Sequence, residues 1–138
     1  MGSETVTTRD NALTPRSFVT SDSIDVSVAV SGLTTILEVQ VQSLSRMFIE
    51  VLPVTNNLDA FQVQVRANQS GNYITLLSAA GDFTAPTGIL AGASGDLTTL
   101  AAAATGWLLL DVFGFEAIRL QASATGGVST VTVHAGAA

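Results

Sequence analysis

The sequence contains no cysteine and no lysine, and its only histidine is His134. The absence of cysteine excludes disulfides, thiolate nucleophiles and zinc–thiolate sites. The five basic residues are all arginine and stand against eleven acidic residues, so the net charge is −6. Proteins that bind nucleic acid need a basic stripe for the phosphates. This balance therefore predicts that the chain does not bind nucleic acid.

Charge of either sign is scarce, and apolar runs are short. Charged residues make up 12% of the chain, whereas about 25% is usual. Apolar runs such as Trp107–Leu110 are far shorter than the ~20 residues that cross a bilayer, and the start lacks the pattern of a secretory signal. We therefore expect no membrane partner. A surface with few charges and no lysine is typical of a chain that faces other protein.

Most of the chain after Ser23 alternates apolar and polar residues at period two, the signature of half-buried strands. Turn residues such as Ser31–Gly32 separate the strands, and Gly126–Gly127 predicts a hairpin turn between the last two. The pattern predicts an all-β fold, an antiparallel β-sandwich or jelly roll of about eight strands. The predicted strands are Ile24–Val30, Leu37–Val41, Arg46–Leu52, Ala60–Arg66, Tyr73–Leu77, Trp107–Phe113, Phe115–Ala122 and Val128–His134.

Two segments depart from this alternation. Residues 1–22 are polar and without period, which predicts an N-terminal arm beside a sandwich domain over 23–138. Residues 79–106 consist mainly of small residues and predict a long loop. Inside it, Asp96 as N-cap, Leu97–Ala104 and Gly106 as the C′ residue favour a short helix. The run Leu97–Leu100 would fit a strand almost as well, so both alternatives stay open.

The residues capable of catalysis lack partners in the sequence. His134 has no cysteine to activate, and no serine lies in a G-x-S-x-G elbow. Glu38 and Glu50 lie on adjacent predicted strands and could form a carboxylate pair of the kind that glycosidases use. Both, however, occupy outward positions that are typical of solvated carboxylates. We therefore predict that the chain is not an enzyme.

Two further features were considered as ligand sites. Asp82 and Asp96 flank the long loop, where calcium would find oxygen ligands, but no calcium-loop motif is present, and we predict no metal and no cofactor. Trp107 and Tyr73 could stack on sugar rings. Trp107 opens the run Trp-Leu-Leu-Leu, which indicates a core position or a seam between subunits. A carbohydrate-binding module is thus an alternative function.

A resemblance to a known family is carried by five stretches: Leu58–Arg66, Gly71–Tyr73, Asp82–Pro86, Ser94–Thr98 and Arg119–Ser123. Together they resemble the small β-sandwich virion proteins of tailed bacteriophages. The resemblance extends over most of the chain after residue 23 and includes no catalytic motif. It implies a capsid decoration (cement) protein or, as an alternative, a tail or neck component. Decoration proteins of this size are commonly β-rich, often trimeric, and lie where capsomers meet.

On this basis we expect a structural virion protein, a homotrimer that binds the major capsid protein on the capsid exterior after assembly in the host cytoplasm. The arm and the loop are the expected contact surfaces, with arginines pairing with partner carboxylates and apolar residues serving as buried anchors. The expected partner-binding residues are Arg9, Arg16, Phe18, Phe83, Pro86, Ile89 and Leu90.

Deleting residues 1–22 tests the predicted role of the arm. If the arm extends over a neighbouring subunit, the truncated chain loses contact area and dissociates at concentrations where the full chain is an oligomer. Native mass spectrometry and light scattering at matched concentrations measure this, with circular dichroism as the control for folding. A full chain that is a stable monomer, and whose properties the deletion leaves unchanged, would contradict the assembly hypothesis.

Overall fold

A computed structural model describes residues 16–17, 23–42, 44–79, 90–93 and 97–137. Within these residues the chain forms strands and one short 3₁₀ turn, Leu97–Thr99. None of the described helical segments is long and apolar enough to cross a membrane. The strands are β1 (Arg16–Ser17), β2 (Ser23–Val30), β3 (Thr34–Gln40), β4 (Arg46–Val51), β5 (Ala60–Arg66), β6 (Ile74–Leu77), β7 (Leu90–Ala93), β8 (Gly106–Asp111), β9 (Ala117–Ser123) and β10 (Ser129–Ala137).

The strands form two five-stranded sheets. The first sheet has the order β2-β10-β4-β8-β7, and the second has the order β1-β3-β9-β5-β6. All neighbours are antiparallel except β1, which runs parallel to β3. If β1 and β7 are set aside and the other eight strands are counted in chain order, the sheets have orders 1-8-3-6 and 2-7-4-5. This is the order of a jelly roll, so the predicted all-β sandwich is confirmed.

The predicted hairpin at Gly126–Gly127 is wrong. β9 belongs to the second sheet and β10 to the first, so the connection between them crosses the sandwich. Among the described strands, consecutive strands pair directly only as β5 with β6 and as β7 with β8. A glycine turn between two alternating strands marks a reversal of direction, but it does not tell whether the second strand stays in the same sheet.

The segment 79–106 contains more structure than a loop. It holds β7, the 3₁₀ turn and the first residue of β8. Of the two alternatives left open over Leu97–Ala104, neither a helix of that length nor a strand forms, since Leu97–Thr99 is a single 3₁₀ turn. Gly106 is not a C′ residue but begins β8, where a Cβ would overlap the side chain of the fully buried Leu97. Asp96, the expected N-cap, lies outside the described residues.

Part of the predicted N-terminal arm is described. Arg16 and Ser17 pair with Val39 and Gln40 of the same chain, at the edge of the second sheet. The rest of residues 1–22 lies outside the described part of the chain.

The core lies between the inner faces of the two sheets. Alternation along each strand brings the predicted apolar residues to this layer, and Leu97 and Leu100 join it from the segment before β8. Burying one such side chain stabilises the fold by about 1.5–3 kcal/mol. The largest fully buried side chains are Phe61, Ile24, Leu44, Met47, Ile49, Leu97, Leu108, Ile118 and Leu120.

Asp59, just before β5, binds the end of β9 and the turn that follows it. Its carboxylate accepts hydrogen bonds from the Ser123 hydroxyl at 2.5 Å, from the Thr125 amide at 3.0 Å and from the Thr125 hydroxyl. These bonds, with that of Ser123 the strongest contribution, lower the pKa of Asp59 below its ordinary value. A hydrogen-bonded carboxylate with a lowered pKa stabilises the fold only while it is ionised.

The substitution Asp59→Asn should therefore destabilise the protein in a pH-dependent way. The stabilisation is present above the unfolded pKa of about 3.9 and is lost as the pH falls through the lower folded value. Urea unfolding at pH 7, 5 and 3 should show a difference between wild type and variant that shrinks toward pH 3. Asp25→Asn, which removes an exposed carboxylate from β2, is the control. An Asp59→Asn effect of the same size at all three pH values would contradict the assignment.

Candidate interaction surface

The outer face of the first sheet carries two exposed aromatic rings. Alternation along β4 turns Met47 and Ile49 into the core and Phe48 outward, and alternation along β8 turns Trp107 outward. Phe48 is 46% exposed and Trp107 is 37% exposed. Their rings stack loosely, with centroids 6.1 Å apart and planes inclined by 27°. With the half-buried Leu109, which pairs with Phe48 across the strands, they form a cluster that we name the aromatic patch.

Glycines border the aromatic patch on both sides. Gly136 of β10 pairs with Phe48, and Gly92 of β7 pairs with Leu109. A Cβ at Gly136 would meet nothing within 4 Å, so this position is open space beside the Phe48 ring. Because cross-strand neighbours normally cover one another, the missing side chains leave the aromatic patch accessible.

A row of charged and titratable residues adjoins the aromatic patch. Asp25, His134 and Glu50 lie opposite one another on β2, β10 and β4, and Glu50 lies opposite Trp107 on β8. His134 Nε2 is 3.6 Å from Asp25 Oδ1, and His134 Nδ1 is 3.9 Å from Glu50 Oε1. These distances are too long for hydrogen bonds, and all three side chains are exposed.

This row is not a metal site. The two nitrogens of His134 face different carboxylates, so one cation could not be bound by His134, Asp25 and Glu50 together. The described residues contain no group of three side chains able to hold a metal ion.

The outer face of the second sheet differs, because its charged groups are bonded to one another. Arg66 Nε donates to Glu116 Oε1 at 2.6 Å, and Gln40 Nε2 donates to Glu116 Oε2 at 3.0 Å. Glu116 is 2% exposed, and its carboxylate raises the pKa of Arg66. Arg119 Nε donates to Gln64 Oε1 at 2.6 Å. Hydrogen bonds within this face therefore engage all of these groups.

Tyr73 is covered by this polar face. The guanidinium of Arg119 lies 4.1 Å from the centroid of its ring, and that of Arg66 lies 5.1 Å from it. Burial first, and then the neighbouring Glu38 carboxylate, raises the pKa of Tyr73 above its ordinary value. Of the two aromatic residues that the sequence offered for sugar stacking, Tyr73 is thus occupied and Trp107 is accessible.

The carboxylates proposed as a pair do not converge. Glu38 lies on β3 in the second sheet and Glu50 on β4 in the first, both on outward positions. The two side chains therefore point away from each other on opposite sides of the sandwich, and the glycosidase-type arrangement is excluded for this pair.

Most of the expected partner-binding residues lie outside the described part of the chain. Arg9, Phe18, Phe83, Pro86 and Ile89 fall there, as does the loop residue Asp82. Arg16 is placed in β1 and Leu90 in β7 by their backbones alone. Their roles stay predictions.

Phe48 is the member of the aromatic patch that the sequence analysis did not single out. The signal was present, because Phe48 stands between the inward residues Met47 and Ile49 and so had to face outward. Among the described residues, four other large apolar side chains are exposed singly, in turns and at a strand end: Leu33, Ile74, Phe113 and Val128. Scattered exposure of this kind is ordinary, whereas the aromatic patch is a contiguous cluster.

Comparison with known proteins adds little. No family model matches the chain, and no curated protein matches it. A solved structure, that of the SPBc2 prophage-derived protein YomS, aligns with 10% identity over 82% of this chain and 93% of that chain, with a TM-score of 0.48. A similarity this low supports no conclusion about function.

The placement of Trp107 and Leu108 on opposite faces of β8 gives a matched pair of variants. Leu108→Ala should cost about 2–5 kcal/mol of unfolding free energy because Leu108 is fully buried. Trp107→Ala should cost less, because Trp107 is 37% exposed and lies outside the core. Urea unfolding followed by circular dichroism measures both. Equal losses for the two variants would contradict the assignment of Trp107 to an accessible surface.

Proposed function

We propose that this chain is a structural, non-enzymatic protein of a tailed-phage particle, a decoration protein that binds the assembled capsid lattice. The observation that carries the proposal is the aromatic patch, an accessible apolar cluster on the outer face of the first sheet. Large aromatic side chains with a polar rim are the usual energetic centre of protein–protein contacts. The phage assignment itself rests on the resemblance of the sequence to virion proteins.

Binding to the lattice would stabilise the particle by mass action. A protein that binds assembled shells, but not free subunits, opposes disassembly by RT ln(1 + [L]/Kd), which is about 2.7 kcal/mol at a hundredfold excess over Kd. Such a role needs a rigid fold and a contact surface, and it needs no catalytic group. The proposed partners are further copies of this chain, in a trimer, and the major capsid protein on the capsid exterior.

A carbohydrate-binding module is the second candidate, because Trp107 is accessible beside the polar groups of Glu50 and His134. Jelly rolls occur among lectins as well as among viral capsid proteins, so the fold does not choose between them. A tail or neck component remains the alternative within the particle, and it would form rings around the tail axis.

Sedimentation with phage shells tests the proposal. Purified chain is mixed with empty, assembled shells of the tailed phage that encodes it, or with the unassembled major capsid protein, and run on a sucrose gradient. We expect the chain to sediment with the shells only, and we expect the shells to dissociate at a higher temperature when it is bound. A chain that stays at the top of the gradient, or sediments with isolated tails instead, would contradict the decoration role.

A further inference from the structure

We propose that the aromatic patch and the neighbouring carboxylates of Asp25 and Glu50 bind an arginine side chain presented by a different protein. This inference deepens the proposed function, on which it rests, by naming the chemistry that the partner must offer. The guanidinium would lie on the exposed face of Trp107 and pair with the Glu50 carboxylate beside it.

The charge of the face favours a cation. Asp25, Glu50 and Asp111 are acidic, and Arg46, which pairs with Asp111, is the basic residue among them. Three negative charges and one positive charge give −2 when His134 is neutral. The described part of the chain places its other three arginines, Arg16, Arg66 and Arg119, on strands of the opposite sheet.

The carboxylates of Asp25 and Glu50 have unused hydrogen-bonding capacity. Within the described part of the chain their contacts to His134 are 3.6 and 3.9 Å, too long for hydrogen bonds. An arginine could donate two parallel hydrogen bonds to one carboxylate, a geometry that an ammonium group does not match.

The aromatic rings add a preference for arginine over lysine. A planar guanidinium stacks on an aromatic face and is less strongly hydrated than an ammonium. This same molecule shows the contact on its other face, where the Arg119 guanidinium lies 4.1 Å from the centroid of the Tyr73 ring. On the first sheet a ring and a carboxylate lie side by side, and none of the described arginines stacks on that ring.

Trp107 is the only tryptophan of the chain, so its fluorescence reports directly on the aromatic patch. Tetraarginine, tetralysine and tetraglutamate peptides are titrated into the full chain, and maltohexaose is titrated in parallel. We expect a saturable change in emission with tetraarginine, a weaker one with tetralysine and none with the other two. Added salt should weaken the arginine response.

Two matched variants locate the effect. Glu50→Gln should raise the Kd for tetraarginine by about two- to five-fold, the range of an exposed ion pair. Glu38→Gln removes the same charge from the outer face of the opposite sheet and should leave the Kd unchanged. Equal effects of the two substitutions would show a general attraction to the chain's net charge and overturn the proposal, as would a response to maltohexaose without one to tetraarginine.

Shell sedimentation separates this inference from the proposed function. If wild type binds shells and both Glu50→Gln and Phe48→Ser bind them as tightly, the decoration role stands and the surface assignment fails. If tetraarginine binds with the expected dependence on Glu50 but shells are not bound, the surface assignment stands and the decoration role fails. Dissociation of an oligomer of this chain by the same substitutions would show that a second copy covers the face, which would also overturn the proposal.

Discussion

The position of β10 between β2 and β4 fixes the first sheet, and with it the surface that the protein presents. Val131 and Val133 of this strand are fully buried, so a slip of one residue would turn both out of the core and His134 into it. Burial of the two valines therefore excludes a one-residue slip. The observed register places His134 opposite Asp25 and Glu50, and β4 in turn places Glu50 opposite Trp107. The row of Asp25, His134 and Glu50 beside the aromatic patch thus follows from the pairing of the strands, and no short sequence motif encodes it.

The two outer faces of the sandwich use their polar groups differently. On the second sheet the buried Glu116 carboxylate is bonded by Arg66 and Gln40, and removing Arg66 would leave a buried charge without its counter-ion. Arg66, Arg119 and Glu116 are therefore bonded within the chain itself. On the first sheet the carboxylates are exposed, their distances to His134 exceed hydrogen-bond length, and two aromatic rings remain accessible. The contrast argues that the first sheet, and not the second, is the face open to a partner.

Period-two alternation predicted the all-β class and most strand positions, because burial of one strand face is a local property of the sequence. The predicted strand Ile24–Val30, for example, corresponds to β2, in which Ile24 and Val30 are buried. Strand pairing was not predictable, since the chain crosses between sheets after β9 at a glycine turn that resembles a hairpin. The sequence left a helix and a strand open at Leu97, where the chain forms a 3₁₀ turn and the buried Leu97 side chain packs against Gly106, a contact distant in local sequence pattern. Alternation also placed Phe48 outward, but the neighbourhood of Phe48, Trp107 and Glu50 emerges only from cross-strand register.

The exposure of Phe48 and Trp107 is not required by the fold. Other outward positions hold polar residues, such as Thr132 on the neighbouring strand β10 and Gln62 on β5 of the second sheet. The aromatic pair gains about 0.5–1.5 kcal/mol from its own contact, but its remaining apolar area stays in water, and burying it would contribute about 25 cal/mol per Å². That contribution becomes available only when another molecule covers the rings. The core packs on the inner side of β4 and β8, away from Phe48 and Trp107. Substitutions at these two outward positions can therefore alter the affinity for a partner without disturbing the jelly roll.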